Sequence, residues 1–348
     1  MHQDTHHVST PVEPYSDTDE ALIYVDSLDN ASYTTSVTSS VLDYQTAADI
    51  IHTMKENTFW YMILSTFGLC LRLMVKQPND EREQDRLDLS HRIYSMLLKG
   101  ELFQAPIKNP KRVLDLGTGT GLWAIEYADT NPNSQVIGID LSAIQPSWVP
   151  PNCRFEIDDF EQPWSFSKPF DYIHGRELEG SIRDHDLLFK QALDSLNPNG
   201  WFEMASFDVN TYSDDGTHLG ATNLILSIKH IHESSRVFGK YMASSPSWKD
   251  RMIKAGFLNV TEDVHKLPQS PWPKDPKLKE LGEYHQLNML EAMPVYTYAL
   301  FSRVLGWTRS EIEGLLAGVR TELRDTSYHL YTKLRVVYGQ KAGGPVSA

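Results

Sequence analysis

Three alternating glycines follow a short apolar run in Val113-Leu114-Asp115-Leu116-Gly117-Thr118-Gly119-Thr120-Gly121. Glycine admits positive φ and puts no Cβ in the way of a ligand, so such a loop brings backbone amides close to a bound molecule. A helix starting behind the loop adds unpaired N–H groups and the positive end of its dipole. The spacing is G-x-G-x-G, not the G-x-G-x-x-G of dinucleotide sites, and no G-K-[ST] ends it. A nucleotide-like ligand without a pyrophosphate fits better. S-adenosylmethionine, an adenosine joined to a zwitterionic methionine, is such a ligand.

Acidic residues at the next two strand ends sharpen this expectation. Asp140 ends the second apolar run, with Leu141 beside it, and a carboxylate there can accept hydrogen bonds from both ribose hydroxyls. Asp158 and Asp159 end the third run. Either can accept from an adenine amino group, while the amide of Asp159 or Phe160 meets a ring nitrogen. The expected cofactor contacts are thus Asp115, Gly117, Thr118, Gly119, Gly121, Asp140, Leu141, Asp158, Asp159 and Phe160. The methionine carboxylate wants a cationic donor, for which Arg86 and Arg176 are the candidates, each readable also as a surface ion pair. The plain alternative for the whole pattern is a tight turn flanked by solvated acids. A nicotinamide enzyme is disfavoured by the glycine spacing.

Methyl transfer is an in-line displacement at a sulfonium methyl, so the protein chiefly aligns and desolvates. A general base is needed only where the nucleophile starts protonated. His174, His91 and Glu177 are the candidates. His174 directly follows a strand whose end should face the cleft. His91 shares a helical face with Leu87 and Tyr94 and reads equally as a packed core histidine. Glu177 reads equally as a helix-start acid. Trp123 could pack on the cofactor or in the core. Asp158, Asp159 and Asp184 show no sign of converging on a metal, and none is expected.

The elements that must position these groups follow from the pattern. Apolar runs at Val113–Leu116, Val136–Ile139, Phe155–Ile157, Phe170–Ile173 and Trp201–Met204 alternate with helical stretches. That alternation means a parallel sheet covered on both faces. Further strands are expected at Asn259–Thr261 and Leu334–Tyr338, with residues 277–332 helical between them. Upstream, Leu87, His91, Tyr94 and Leu98 recur on one helical face and Gly100 is a plausible stop. The expected organisation is a disordered acidic tail over 1–42, a helical cap over 43–110, and a catalytic domain over 111–342. Its helical substrate lid covers 207–245 and 277–332. The lid carries Phe207, Tyr212, Tyr241, Trp248, Tyr284, Met289, Met293, Tyr296, Tyr298 and Phe301, a wall suited to an apolar, flat small-molecule substrate.

Composition limits the partners. The 348 residues are 41% hydrophobic and 22% charged, an ordinary globular balance. The net charge of −14 argues against nucleic acid, and much of it comes from acids that precede Lys55, the first basic residue. Two cysteines, Cys70 and Cys153, make no disulfide framework and fit a reducing compartment. No signal peptide is legible at the N-terminus. The 15 uncharged residues between Glu56 and Arg72 fall short of the roughly 20 that span a bilayer. A cytoplasmic chain, in part nuclear under one reading below, is expected, with no membrane partner.

With these residues in place, the chain resembles the fungal LaeA-like (UMTA-type) family of class I S-adenosylmethionine-dependent methyltransferases. The resemblance covers about residues 78–342. It is carried by the glycine loop, by Pro78-Asn79-Asp80-Glu81 with Gln84-Asp85-Arg86-Leu87-Asp88 and His91, and by Phe170-Asp171-Tyr172-Ile173-His174-Gly175-Arg176. Ser213–Thr217, Trp272–Pro276 and Leu305-Gly306-Trp307 also match. It departs at Asn197-Pro198-Asn199-Gly200, where many relatives have Pro-Gly-Gly; Asn still tolerates the left-handed conformation. The resemblance implies an α/β, Rossmann-like class I methyltransferase fold with a mostly parallel seven-stranded sheet and the cofactor at strands one to four. It implies either methyl transfer to an O, N or S atom of a fungal metabolite, or a regulator of secondary metabolism acting through protein partners that the N-terminal tail could dock. A third reading is a cofactor-binding fold that catalyses another step, such as a cyclisation.

Overall fold

The computed structural model describes residues 81–343. The acidic tail expected over 1–42, the helical stretch expected over 43–80 and Cys70 lie outside the described residues. The first described element is helix α1 (Glu81–Leu97), with Glu81 and Glu83 in its first turn, where acids favour the dipole. Its buried face carries Arg86, Ser90, His91, Ile93 and Tyr94. Lys99 and Gly100 then adopt positive φ, and the Gly100 amide donates to Ser95 O at 2.7 Å, closing the helix by the expected glycine.

The sheet is built from β1 (Arg112–Leu116), β2 (Gln135–Asp140), β3 (Cys153–Ile157), β4 (Phe170–Arg176), β5 (Leu196–Phe207), β6 (Leu258–Pro268) and β7 (Tyr331–Gln340). The spatial order is β3-β2-β1-β4-β5-β7-β6. Strands β1 to β5 are parallel, and β7 lies antiparallel between β5 and β6. The apolar runs of β1, β2, β4 and β5 are short and mostly buried, as a sheet covered on both faces requires, while the edge strands β3 and β6 are more open. After β1 the chain moves outward to β2 and β3, then returns to place β4 on the other side of β1. The carboxyl ends of β1 and β4 therefore flank a crevice, the place where open α/β sheets bind ligands.

One face is covered by α2 (Leu122–Thr130), whose Trp123, Ala124 and Tyr127 pack on Val113, Val136 and Tyr172. Tyr94 and Leu98 continue that cover over Ala205, Leu334 and Val336. The other face is covered by α3 (His185–Ser195) and α5 (Trp248–Ala255), through Leu188, Phe189, Trp248 and Met252. A separate cluster joins α4 (Thr222–Phe238), α6 (Pro276–Leu300) and α7 (Arg309–Arg324).

Three expectations are corrected. Residues 277–332 are not one helical insertion: a π-helical turn at Phe301–Leu305 and Gly306 at φ 71° separate α6 from α7, and Tyr331 already belongs to β7. Strands β6 and β7 are longer than the apolar runs that announced them, because each borrows register from its neighbour through residues of mixed polarity. Strand β4 runs on past Ile173 to Arg176, held by β5 as far as the Arg176–Ala205 pair. At the departure from the family pattern, Asn199 takes φ 65°, as its tolerance of that region allows.

Two buried histidines make stability depend on pH. His285 on α6 is buried, its ring nitrogens find no hydrogen-bond partner among the described residues, and burial pulls its pKa down to about 3. His185 is pulled down to about 4, by burial and then by Arg251. Both bind fewer protons folded than unfolded, where imidazole titrates near 6.5. Their contribution is therefore complete above about pH 6.5 and is lost as pH falls toward the folded values, by about 1.4 kcal/mol per pH unit for each ring. Urea unfolding followed from neutral pH into the acid range is expected to show this decline, and His285→Phe is expected to remove about one proton from its slope. An equal slope in that variant contradicts the assignment.

Candidate functional site

The glycine loop sits at the head of β1. Gly117, Gly119 and Gly121 take φ of 62°, 58° and 85°. A Cβ on Gly117 would stand 2.5 Å from Leu178 Cδ2, and one on Gly121 would overlap the Phe155 ring, so glycine is demanded twice over. The loop is pinned from outside. Thr118 N donates to Ile139 O at 3.0 Å, and Gly119 N donates to Asp140 Oδ2 at 2.9 Å. Gln145 Nε2 donates to Gly119 O at 2.7 Å, and Thr118 Oγ1 donates to Asp115 Oδ2 at 2.6 Å. Gly121 then caps α2.

Beside the loop, Asp140 also accepts from Ser142 N at 2.9 Å. Burial raises the Asp140 pKa, and the Gly119 and Ser142 amides oppose that rise. Asp158 N donates to Asp140 O at 3.1 Å, so the ends of β2 and β3 are joined. Leu141 and Ile157 stay exposed there, at 58% and 70%. Asp158 takes the Asp159 amide at 2.8 Å, and Asp159 takes Glu161 N and Gln162 Nε2 in a turn. Phe160 is buried, its ring close to Gly117. The loop and the two acidic strand ends are thus gathered at one crevice, as the sequence led us to expect. The set suits S-adenosylmethionine: glycine backbone that allows close approach, a carboxylate at the end of β2, apolar side chains beside it, and acids with turn amides at β3.

The residues expected around the methyl lie at the end of β4 and on α1. Two of them are placed differently from expectation. His174 does not follow the strand; it lies inside β4, 1% exposed, with Nδ1 2.7 Å from Asp115 Oδ1. Trp123 lies flat on its ring, with centroids 3.7 Å apart at 8°, so Trp123 belongs to the core. Burial lowers the His174 pKa against the pull of Asp115. Glu177 does not start a helix. It sits at φ 56° directly after β4 with its amide donating to Ala205 O at 2.9 Å. A left-handed conformation is costly for such a side chain, by about 1–3 kcal/mol. Its Oε1 accepts from Tyr94 Oη and, at 3.0 Å, from Phe207 N. Burial raises the Glu177 pKa; Tyr94, the Phe207 amide and the Arg86 and Arg176 charges oppose it.

Arg176 and His91 are brought together. Arg176 Nη2 donates to His91 Nδ1 at 2.8 Å, and its guanidinium lies over the Tyr94 ring at 4.7 Å. The other His91 nitrogen faces Glu126 Oε2 at 3.0 Å. Because Arg only donates, Nδ1 must be the acceptor and Nε2 the protonated nitrogen. Burial, then Arg176, lowers the His91 pKa. Arg86 turns elsewhere: Nε and Nη2 donate to Glu83 at 2.9 and 2.7 Å, and Nη1 donates to Asn288 of α6 at 3.3 Å. Burial opposes its charge, but Tyr296, Glu83 and Glu177 outweigh that and hold it protonated.

Sequence reasoning missed several residues here. Glu203 is 2% exposed, its carboxylate takes the Gln104 and Ala105 amides at 2.9 and 2.6 Å, and burial pushes its pKa up to about 7. A carboxylate inside the run Trp201-Phe202-Glu203-Met204 was the available signal. Leu178, which covers Gly117, and Asn288 and His285 on the α6 face toward α1 gave none. Of the expected lid wall, Phe207 reaches Tyr94 and His285, with ring centroids 4.6 and 5.4 Å away. Trp248 and Phe301 are instead core residues of separate clusters, and Tyr298 is held by Glu313.

Comparison with known proteins agrees with this geometry. Residues 89–262 match the family described as "Methyltransferase domain". The chain is 40% identical over 267 residues to methyltransferase pytC of Aspergillus terreus, covering 76% of this chain and 82% of that protein. It is 32% identical over 289 residues to the secondary metabolism regulator LAE1 of Cochliobolus heterostrophus, covering 81% and 92%. It is also 32% identical over 272 residues to the protein-methionine methyltransferase laeA of Emericella nidulans, covering 76% and 71%. A Rossmann-like sheet with a glycine loop at the head of β1, in a chain alike to these over most of its length, makes this protein a member of the fungal LaeA-like family of S-adenosylmethionine-dependent methyltransferases.

Proposed function

We propose that the enzyme methylates an O, N or S atom of a small fungal secondary metabolite, bound where α1 and α6 close over the ends of β4 and β5. The observation that carries this reading is that closure. Arg86 joins α1 to Asn288, Arg82 of α1 pairs with Glu291 at 2.5 Å, and Tyr94, Phe207 and His285 stack behind them. An acceptor confined by two helices and met by aromatic rings is small and largely apolar. The 40% identity to methyltransferase pytC supports methyl transfer.

When bound, the cofactor supplies an electrophilic methyl on a sulfonium sulfur. Asp140 would hold the ribose, Leu141, Asp158, Asp159 and Phe160 would surround the adenine, and the glycine loop, with no Cβ in the way, would lie against the methionine end. Arg176 is a better donor to the methionine carboxylate than Arg86, whose charge is already matched by Glu83 in a two-pronged pair. His91 then serves Arg176, because the lone pair a base would need on Nδ1 is taken by that guanidinium. Glu177 is left as the proton acceptor for a hydroxyl or amine nucleophile, with Tyr94 holding Oε1.

A second reading rests on the likeness to the laeA protein, whose name specifies methionine in protein as the acceptor. Incubation with S-adenosylmethionine and mass analysis separate the two. A methyl gain on a metabolite in an organic extract supports the first, and a gain on a polypeptide with the extract unchanged supports the second.

Asp140→Ala is expected to weaken S-adenosylmethionine binding by about 1.5–3 kcal/mol in calorimetry, the worth of a charged hydrogen bond. Unchanged affinity removes Asp140 from the ribose. With a hydroxyl acceptor, the rate is expected to fall as pH drops into the raised titration range of Glu177, because the protonated carboxyl cannot accept. Glu177→Gln is expected to lower single-turnover rates about 10²–10⁴-fold and to abolish that acid limb. A retained limb assigns the proton elsewhere.

A further inference from the structure

A row of polar side chains crosses this sheet at a depth where a parallel sheet is ordinarily apolar. Asp115 of β1 pairs in register with His174 of β4, and His174 with Glu203 of β5. All three therefore point to the same face, 3%, 1% and 2% exposed. His174 Nδ1 meets one oxygen of Asp115 at 2.7 Å. The other oxygen takes the hydroxyl of Thr118, the residue between the first two glycines of the loop. The chain of contacts from the imidazole thus leads straight to the loop.

We propose that His174 is a positioning residue for the cofactor: its Nδ1–H fixes Asp115, and Asp115 through Thr118 holds the loop backbone in the shape that S-adenosylmethionine meets. The proposal deepens the cofactor assignment and rests on it. A donor at Nδ1 is required, since an ionised carboxylate only accepts. The ring itself is held neutral. Arg176 on the same face of β4 and burial both disfavour the imidazolium, while Asp115 favours it. Glu203 on the far side is satisfied by the Gln104 and Ala105 amides, and its pKa of about 7 leaves it only part ionised near neutrality. From the covering helices, Trp123 stacks on the ring, and His91 and Tyr94 line the narrow cavity that His174, Arg176 and Glu203 share.

Stability alone does not account for the pair. Removing two ionisable groups from water costs enough that apolar residues of like volume often serve a fold as well or better. A leucine at 174 would suit the strand and leave Asp115 and Thr118 without their anchor. The imidazole is explained by what it holds in place.

The test uses the full chain, with S-adenosylmethionine as titrant. His174→Leu, which leaves the buried Asp115 carboxylate short of a partner, is expected to lower the unfolding midpoint and, in the folded protein, to lower cofactor affinity about tenfold or more. His174→Asn, whose side-chain N–H stands near the place of Nδ1–H, is expected to recover most of the affinity. In the unchanged chain, proton NMR should find an exchange-protected His Nδ1 proton far downfield that disappears in His174→Asn. Wild-type affinity in folded His174→Leu overturns the proposal, as does an equal loss of affinity in both variants. Should His174→Leu fail to fold, absence of the protected proton in the unchanged chain overturns it. Failure of the unchanged chain to bind at all overturns the cofactor assignment itself, a separate and recognisable outcome.

Discussion

A loop of three left-handed glycines cannot hold its own shape, because the freedom that lets a ligand approach also lets the backbone wander. Its order must come from groups outside it. Here that order comes from two carboxylates on adjacent strands: Asp140 takes the Gly119 amide and Asp115 takes the Thr118 hydroxyl. Ile139 O and Gln145 complete the restraint. Asp140 and Ile139 are in reach because β2 lies beside β1 in parallel register, and Asp115 because it stands on β1 just before the loop. The shape of the crevice beside the loop follows from that restraint.

The second organising feature is the way α1 lies across the strand ends. Its N-terminal half is tied to α6 through Arg86 and Asn288, and its C-terminal half packs on β5 and β7 through Tyr94 and Leu98. Tyr94 is the pivot. Its ring supports Arg176, its hydroxyl holds Glu177, and its other neighbour is Phe207. One side chain on the covering helix therefore orients a cation, an acid and an aromatic wall from three positions on the sheet. This arrangement separates the charges: Arg86 is neutralised within α1 by Glu83, whereas Arg176 is steadied by a neutral imidazole and a ring and keeps its charge for another partner.

The cofactor half of the site was legible in the sequence because its signals are local. A glycine loop after an apolar run, and an acid at the end of each following strand, are patterns of neighbours in the chain. The catalytic half was less legible because its geometry is made by distant pairings. His174 was read as lying past its strand, and only the register of β4 with β5 carries that strand on to Arg176. Glu177 was read as a candidate base or equally as a helix-start acid, and its left-handed backbone comes with a bond to Ala205 of the next strand. His285 and Asn288 sit in an ordinary helical stretch, and their relation to α1 depends on how two helices cross, which no periodicity records.

Three places where local rules are broken lie near one another. Glu177 in a conformation that disfavours it, Arg86 and Glu83 buried as a pair, and His285 without a partner among the described residues all lie on the walls formed by α1, α6 and the ends of β4 and β5. Each costs stability, and a buried imidazole with no partner costs about 1–3 kcal/mol for an unmade hydrogen bond. A fold selected for stability alone would replace them with apolar residues. Such a grouping is the pattern expected where a sequence trades fold energy for contacts to a ligand. The cofactor side, by contrast, has its polar groups met within the protein: Asp140 by two amides, Asp159 by its own turn.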